Sequence, residues 1–357
     1  SNDLPWRQKA RVYHIGVDDR GLFDEEDFDR LLRQHADRVK LVAITGAQNV
    51  TGCLTPIHRL AEKAHAVGAK IVVDAAQMAP HRAIDMRLDD DPGHLDFVAI
   101  AAHKMYAPYG AGALVGPRWV FERGKPDLVG GGTVDLVTVD DVRWAGAPGR
   151  DEAGSPNVVG AVALAQAILS LQEIGMDSVA NHEAELTAHA LGRLREIEEV
   201  EIYGMTDPEQ ASERLGTIPF NVRGVEHYKV SAVLSCEGGI GVRNGYFCAH
   251  PYLQRLLGIS SEEAVRQQQE ILAGTRVGRP GMVRASFGCY NTIAEVDWFV
   301  DRLARLVAGD IQGDYEQDLA SGDYWPRGYE PDYDQYFCFR PGLSIPRGER
   351  TLAWCGA

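Results

Sequence analysis

Cysteine is scarce and scattered, with six residues at 53, 236, 248, 289, 338 and 355, no CxxC pair and no metal-ligand spacing. That argues against a disulfide framework or a zinc centre and for reduced thiols; no metal is expected. Basic residues are outnumbered, 36 Lys and Arg against 51 Asp and Glu, for a net charge of −15. Such a surface repels phosphate backbones and anionic lipid, so neither nucleic acid nor membrane is an expected partner. No apolar run is long enough to span a bilayer, and no charged-then-apolar stretch opens the sequence; the expectation is a soluble, cytoplasmic protein. An internal repeat is also absent. What remains is ordinary globular composition, 45% hydrophobic and 24% charged, over 357 residues. That length exceeds one comfortable core and fits two domains.

Short apolar runs at Lys40–Thr45, Ala69–Asp74, Asp96–Ala101 and Ala111–Gly116 alternate with helix-like patterns such as Ile57–Val67. Near-continuous apolar strands covered on both faces indicate an α/β fold with a mostly parallel sheet. Ligands in such sheets sit at the carboxyl ends of the strands. Asp127 to Asn157 reads as loop, with three glycines at 130–132. Val158–Ile174 is apolar on nearly all sides, which predicts a buried linking helix. Val179–Glu198 and Ile293–Val307 read as amphipathic helices, and Gly216–Val222 and Gly239–Val242 as strands of a smaller α+β domain. The expected divisions are 1–160, 161–307 and an aromatic, Pro/Gly-rich tail, 308–357, that packs through its aromatic rings.

Three features converge at the sheet's carboxyl edge. Asp74 ends a strand in VVDAAQ, Gln77 follows it, and Lys104 follows the next strand in AAHKMYAPYGAGAL. Small residues around the lysine (Ala101, Ala102, Ala107, Gly110, Gly112) let a flat ring approach. A buried aspartate facing a pyridine nitrogen keeps it protonated, as an electron sink requires. Gln77 suits a ring phenolate, and His103 a phosphate or a proton relay. Taken singly, a strand-terminal aspartate also suits the capping of a following helix, and a lysine a solvated surface.

In order along the chain, VVDAAQMAPHRAIDM, DFVAIAAHKMYAPYGAGAL, GGGTV, DEAGSPN and VRASFGCYNTIAEVD resemble the motifs of class V aminotransferases, fold-type-I pyridoxal-phosphate (PLP) enzymes. Within that group the resemblance is to the cysteine desulfurase branch, over residues 1 to about 307. It implies Lys104 as the Schiff-base lysine, Asp74 on the pyridinium, Gln77 on the phenolate and Asn49 beside cofactor and substrate. Ser155 stands where relatives reach the phosphate of a neighbouring subunit, which implies a homodimer. Arg284 matches the arginine that clamps the substrate carboxylate, a task for a planar fork.

A desulfurase also needs a mobile nucleophilic thiol, and Cys248 in GIGVRNGYFCAHP stands where the resemblance puts it. Glycines 239, 241 and 245 suit a moving loop, and Arg243 suits a thiolate partner. A packed core cysteine is the competing reading. The expected reaction removes sulfur from L-cysteine through a Cys248 persulfide, leaves alanine, and hands the sulfur to an acceptor. A selenocysteine lyase, an epimerase, an aminotransferase or a truncated non-catalytic subunit stay open. Tyr246-Phe247 replaces the His-His usual before the cysteine, and Ala101 replaces a serine phosphate donor. The stretch from Cys248 to Arg284 is long, closer to molybdenum-cofactor sulfurases. SNDLPWR resembles the family just past the histidine that stacks on PLP. The large domain is therefore expected to be incomplete at its start, as in a fragment, a split subunit or the ordered part of a longer protein.

Overall fold

A computed structural model describes residues 2–274 and 276–329, and the backbone of strands Ser344–Arg347 and Arg350–Ala353. The helices are α1 (Leu4–Arg7), α2 (Glu25–Gln34), α3 (Ile57–Ala66), α4 (Arg118–Phe121), α5 (Val158–Ile174), α6 (Met176–Leu194), α7 (His227–Gly238), α8 (His250–Leu256), α9 (Ser261–Leu272) and α10 (Ile293–Val307). The first sheet has strand order β1 (Leu41–Thr45), β2 (Lys70–Asp74), β3 (Phe97–Ala101) and β4 (Gly112–Val115). β1, β2 and β3 are parallel and β4 is antiparallel. β2 buries Ile71, Val72 and Val73 in succession, as a strand covered on both faces must. α3 buries Ile57, Leu60, Ala61 and Ala64, one stripe at helical spacing against this sheet. The mostly parallel α/β expectation holds.

Between the two cores, β5 (Val134–Val137) and β6 (Val142–Trp144) form a hairpin inside the stretch expected to be loop. The second sheet, β7 (Val200–Ile202), β8 (Thr217–Val222), β10 (Met282–Ser286) and β9 (Arg243–Gly245), is antiparallel in that order. α6, α7 and α10 cover it; α10 opens with a capping box, Thr292 with Glu295, and buries Val296, Phe299, Val300, Leu303 and Leu306. β11 (Tyr315–Gln317) pairs with β12 (Tyr324–Pro326), and Tyr315 packs on this second core. The aromatic packing expected of the tail thus holds for Tyr315; the side chains beyond residue 329 lie outside the described residues.

Two further expectations need correction. α5 is apolar all round yet buries only Gly160, Leu164 and Leu171, while Val158, Val159 and Val162 are more than half exposed. A uniformly apolar helix shows that every face avoids water; it does not supply partners for every face. Gly239–Val242 is no strand: Gly239, at φ +64°, is the left-handed cap that ends α7, and pairing starts at Arg243. α2, outside the patterns named above, opens with Asp24 accepting from the Asp27 N–H and three acids in the first turn.

The two cores meet through a buried ion group. Glu183 on α6 accepts from Arg82 at 2.6 Å and from the backbone N–H of Gly216 at 2.8 Å, and pairs with His81 at 2.8 Å. Burial pushes the Glu183 carboxyl up, but His81, the Gly216 N–H and Arg82 outweigh it and hold it below the ordinary value. Glu183→Ala is expected to cost roughly 3–5 kcal/mol, because it strands buried charge. In the wild type the Glu183 contribution is complete above about pH 4.5 and disappears as pH falls through the lowered folded value. Urea midpoints across pH check both points: Glu183→Gln should lose that acid-side slope, and a cost for Ala under about 1 kcal/mol would reduce the group to a surface-type pair.

Candidate active site

The parallel strands end on one edge, and Asn49, Asp74, Gln77 and Lys104 follow or close those strand ends. Asp74 is the last residue of β2, aligned with Thr45 of β1 and Ala99 of β3. Its Oδ1 accepts from the Ala76 N–H at 3.1 Å, so it does cap the following turn. Oδ2 takes no part in that bond. Directly after β3, a single 3₁₀ turn, Ala102–Lys104, ends on Lys104, with Ala102 and Ala107 on either side of it in the chain buried. Lys104 Nζ donates to Gln77 Oε1 at 3.0 Å.

Burial pushes the Lys104 amine down; Asp74 pulls it back up, and Arg284 and Arg243 lower it again. Cys248 also acts on it, in the raising direction. These charges reach one amine although their positions span 74 to 284, which is how the fold assembles the site.

Arg284 lies on β10, paired with Arg243 of β9. Its Nη1 donates to the Asn49 carbonyl at 2.6 Å, and its guanidinium carbon is 4.9 Å from the centre of the Phe247 ring. Its Nε is buried without a partner among the described residues. Burial, then the Arg243 charge, lower its pKa to about 10. A desolvated guanidinium with an unused donor suits an anion.

Asn49 sits in the tight turn after β1. Gly52 closes that turn at φ +75°, where an added Cβ would come within 2.7 Å of the Leu215 carbonyl, so only glycine fits. The Asn49 side chain donates to the Phe247 carbonyl at 2.8 Å.

Cys248 is exposed, and Arg243 Nη2 lies 3.9 Å from its sulfur. Phe247 and Cys248 hold φ of +49° and +61°, a left-handed pair without glycine. Each such residue costs of order 1–3 kcal/mol and persists only where contacts over-determine it. At the loop's base, the Tyr246 ring stacks on His250 and its hydroxyl donates to Gln267 of α9 at 2.9 Å.

Asp74, Gln77, Lys104, Asn49, Arg284 and Cys248 are thus brought together. His103 and Ser155 are exposed, and neither is joined to this group by a hydrogen bond among the described residues. Phe247 is a site residue that the sequence marks only by an aromatic side chain next to Cys248. Away from the site, His65, His94 and Asp96 bring potential metal ligands within 4.8 Å. The Asp96 oxygens already take Lys70 Nζ at 2.6 Å and the Ile71 N–H at 2.9 Å, so this is a satisfied charge network.

The profile of the family described as Aminotransferase class-V matches residues 1–299. The chain belongs to that family. It is 34% identical over 302 residues to a probable cysteine desulfurase of Halalkalibacterium halodurans, covering 83% of this chain and 66% of that protein. With a cysteine desulfurase of Haloferax volcanii it shares 35% over 305 residues, 84% of this chain and 64% of the relative. The chain therefore spans about two thirds of the length of these relatives. Among solved structures, the apo cysteine desulfurase from Thermococcus onnurineus NA1 superposes at TM-score 0.72 with 32% identity, covering 86% of this chain and 70% of that one. The S-sulfonic acid form of the Escherichia coli cysteine desulfurase CsdA gives 0.71 and 28%, over 87% and 70%. Enzymes of this type depend on PLP. The residues present fit that group: a half-buried amine held below its ordinary pKa, buried small neighbours in Ala102 and Ala107, and a carboxylate and an amide within reach of it.

Proposed function

We propose that this chain carries the catalytic groups of a cysteine desulfurase acting on L-cysteine. The observation that carries the reading is an exposed thiol on a strained loop, flanked by Arg243 and within charge reach of the half-buried Lys104. Bound PLP supplies the electron sink that makes the substrate's α-proton removable. Asp74 and Gln77 would hold its ring, and Lys104 would anchor it and then move the α-proton. Arg284 and Asn49 hold the amino acid, the guanidinium taking the carboxylate. The Cys248 thiolate attacks the substrate sulfur; an S–S bond forms as the C–S bond breaks, and the electron pair left on carbon takes a proton on the way to alanine. The persulfide then passes to an acceptor thiol, small or protein-borne. Holding thiolate and sulfur in contact supplies up to roughly 7–11 kcal/mol of the acceleration. The test feeds L-cysteine to the PLP-loaded chain, measures alanine, and maps added sulfur by peptide mass. Sulfur on Cys248 supports the reading; alanine without it transfers the chemistry to another class V reaction.

The loop holding Ser155 and the first turn of α5 expose Val158, Val159 and Val162 together. That adjacency favours a second copy of the chain covering this face, as the resemblance at Ser155 implies. Light scattering should give a dimer mass that Val159→Glu reduces; a monomer mass for the unaltered chain ends this part of the reading.

A further inference from the structure

The loop that carries Cys248 is held by the same two side chains that would hold the substrate. Asn49 Nδ2 donates to the Phe247 carbonyl at 2.8 Å, and the Arg284 guanidinium lies on the Phe247 ring at 4.9 Å while donating to the Asn49 carbonyl. These contacts close a triangle. Phe247, buried among Val50, Leu253 and Met282, is its only corner on the cysteine loop, and its left-handed backbone leads directly into that of Cys248. A cation is held to a ring face by the ring's quadrupole, so the hold depends on the guanidinium's charge staying uncompensated. A carboxylate on Arg284 compensates that charge.

We infer that Phe247 is a positioning residue that couples Arg284 to the Cys248 loop, so that a carboxylate engaging Arg284 loosens the ring and frees the thiol. This rests on the reading of Arg284 as the carboxylate clamp. The nucleophile is then held back while the clamp is empty and released when it fills. Coupling of this kind is reciprocal: a released loop raises the affinity for the carboxylate by the same factor.

The test uses the PLP-loaded chain, iodoacetamide, peptide mass spectrometry to follow Cys248 alone, and L-alanine, which brings the carboxylate without a sulfur to transfer. Calorimetry reports L-alanine binding in the same samples. Saturating L-alanine is expected to speed Cys248 alkylation by about 5- to 20-fold, within the usual range of coupling. In Phe247→Leu, which fills space without a ring, the acceleration should fall below about twofold while L-alanine still binds; Phe247→Tyr should restore it. An acceleration unchanged in Phe247→Leu overturns the inference. So does bound L-alanine with no acceleration in the unaltered chain, a comparison that needs no variant to fold. Failure of L-alanine to bind at all removes the clamp reading, and the inference with it.

Discussion

Lys104→Met should abolish both the visible absorbance that PLP gives on this chain and its turnover, while making the cofactor-free protein slightly more stable. The first effect is the larger. Positioned proton transfer alone is worth about 10²–10⁴-fold, and the substitution removes the cofactor's anchor as well. The second effect follows from burial. The Lys104 amine is pushed below its ordinary 10.5, so the folded chain resists carrying that proton and the unfolded chain does not. Between the lowered folded value and 10.5 the unfolded state binds more protons, and wild-type stability rises with pH. The advantage of methionine is therefore greatest below that window and shrinks as pH climbs through it. Melting curves of the cofactor-free proteins across alkaline pH check this, together with borohydride reduction and peptide mass to place the label. A label on another lysine, or a Met variant that keeps its colour, would remove Lys104 from the role.

Cys248→Ala should keep the cofactor's absorbance and lose sulfur transfer by several powers of ten. The alanine side chain leaves Asp74, Gln77 and Lys104 untouched, so cofactor binding has no reason to change. What disappears is a thiolate held against the substrate sulfur, and contact of that kind is worth up to roughly 7–11 kcal/mol. Production of alanine and persulfide should be compared with cofactor absorbance on the same preparation. Undiminished persulfide from the alanine variant would end the desulfurase reading and leave a class V reaction that ignores the cysteine. Loss of colour would instead give Cys248 a part in holding the cofactor edge together.

Much of the first sheet is legible in the sequence, since β1, β2 and β3 are unbroken apolar runs, although only β2 buries consecutive residues on both faces while β1 buries Val42 and Ile44 and β3 buries Val98. α10 was readable because a capping box and one apolar stripe agree. The errors fell where local pattern does not decide. α5 is apolar on every side but covered along one stripe only, and Gly239 belongs to a helix cap because the backbone there turns left-handed.

At the site the same division holds. By itself the sequence determined which residue types are present and in what order: a strand-final aspartate, a lysine just past the next strand, an arginine in a later strand and a cysteine after a glycine-rich stretch. Those depend on strand ends and turns, whose signals are local. Only the tertiary structure decided that Asp74, Arg284, Arg243 and Cys248 all act on Lys104, because that needs the parallel sheet edge and the β9–β10 pair brought close together. It alone placed the Phe247 ring under the guanidinium and its carbonyl on Asn49, contacts that join positions 49, 247 and 284. It also left His103 and Ser155 at the surface. Burial, charge at a distance and left-handed strain are properties of the folded chain, and no spacing along the sequence encodes them.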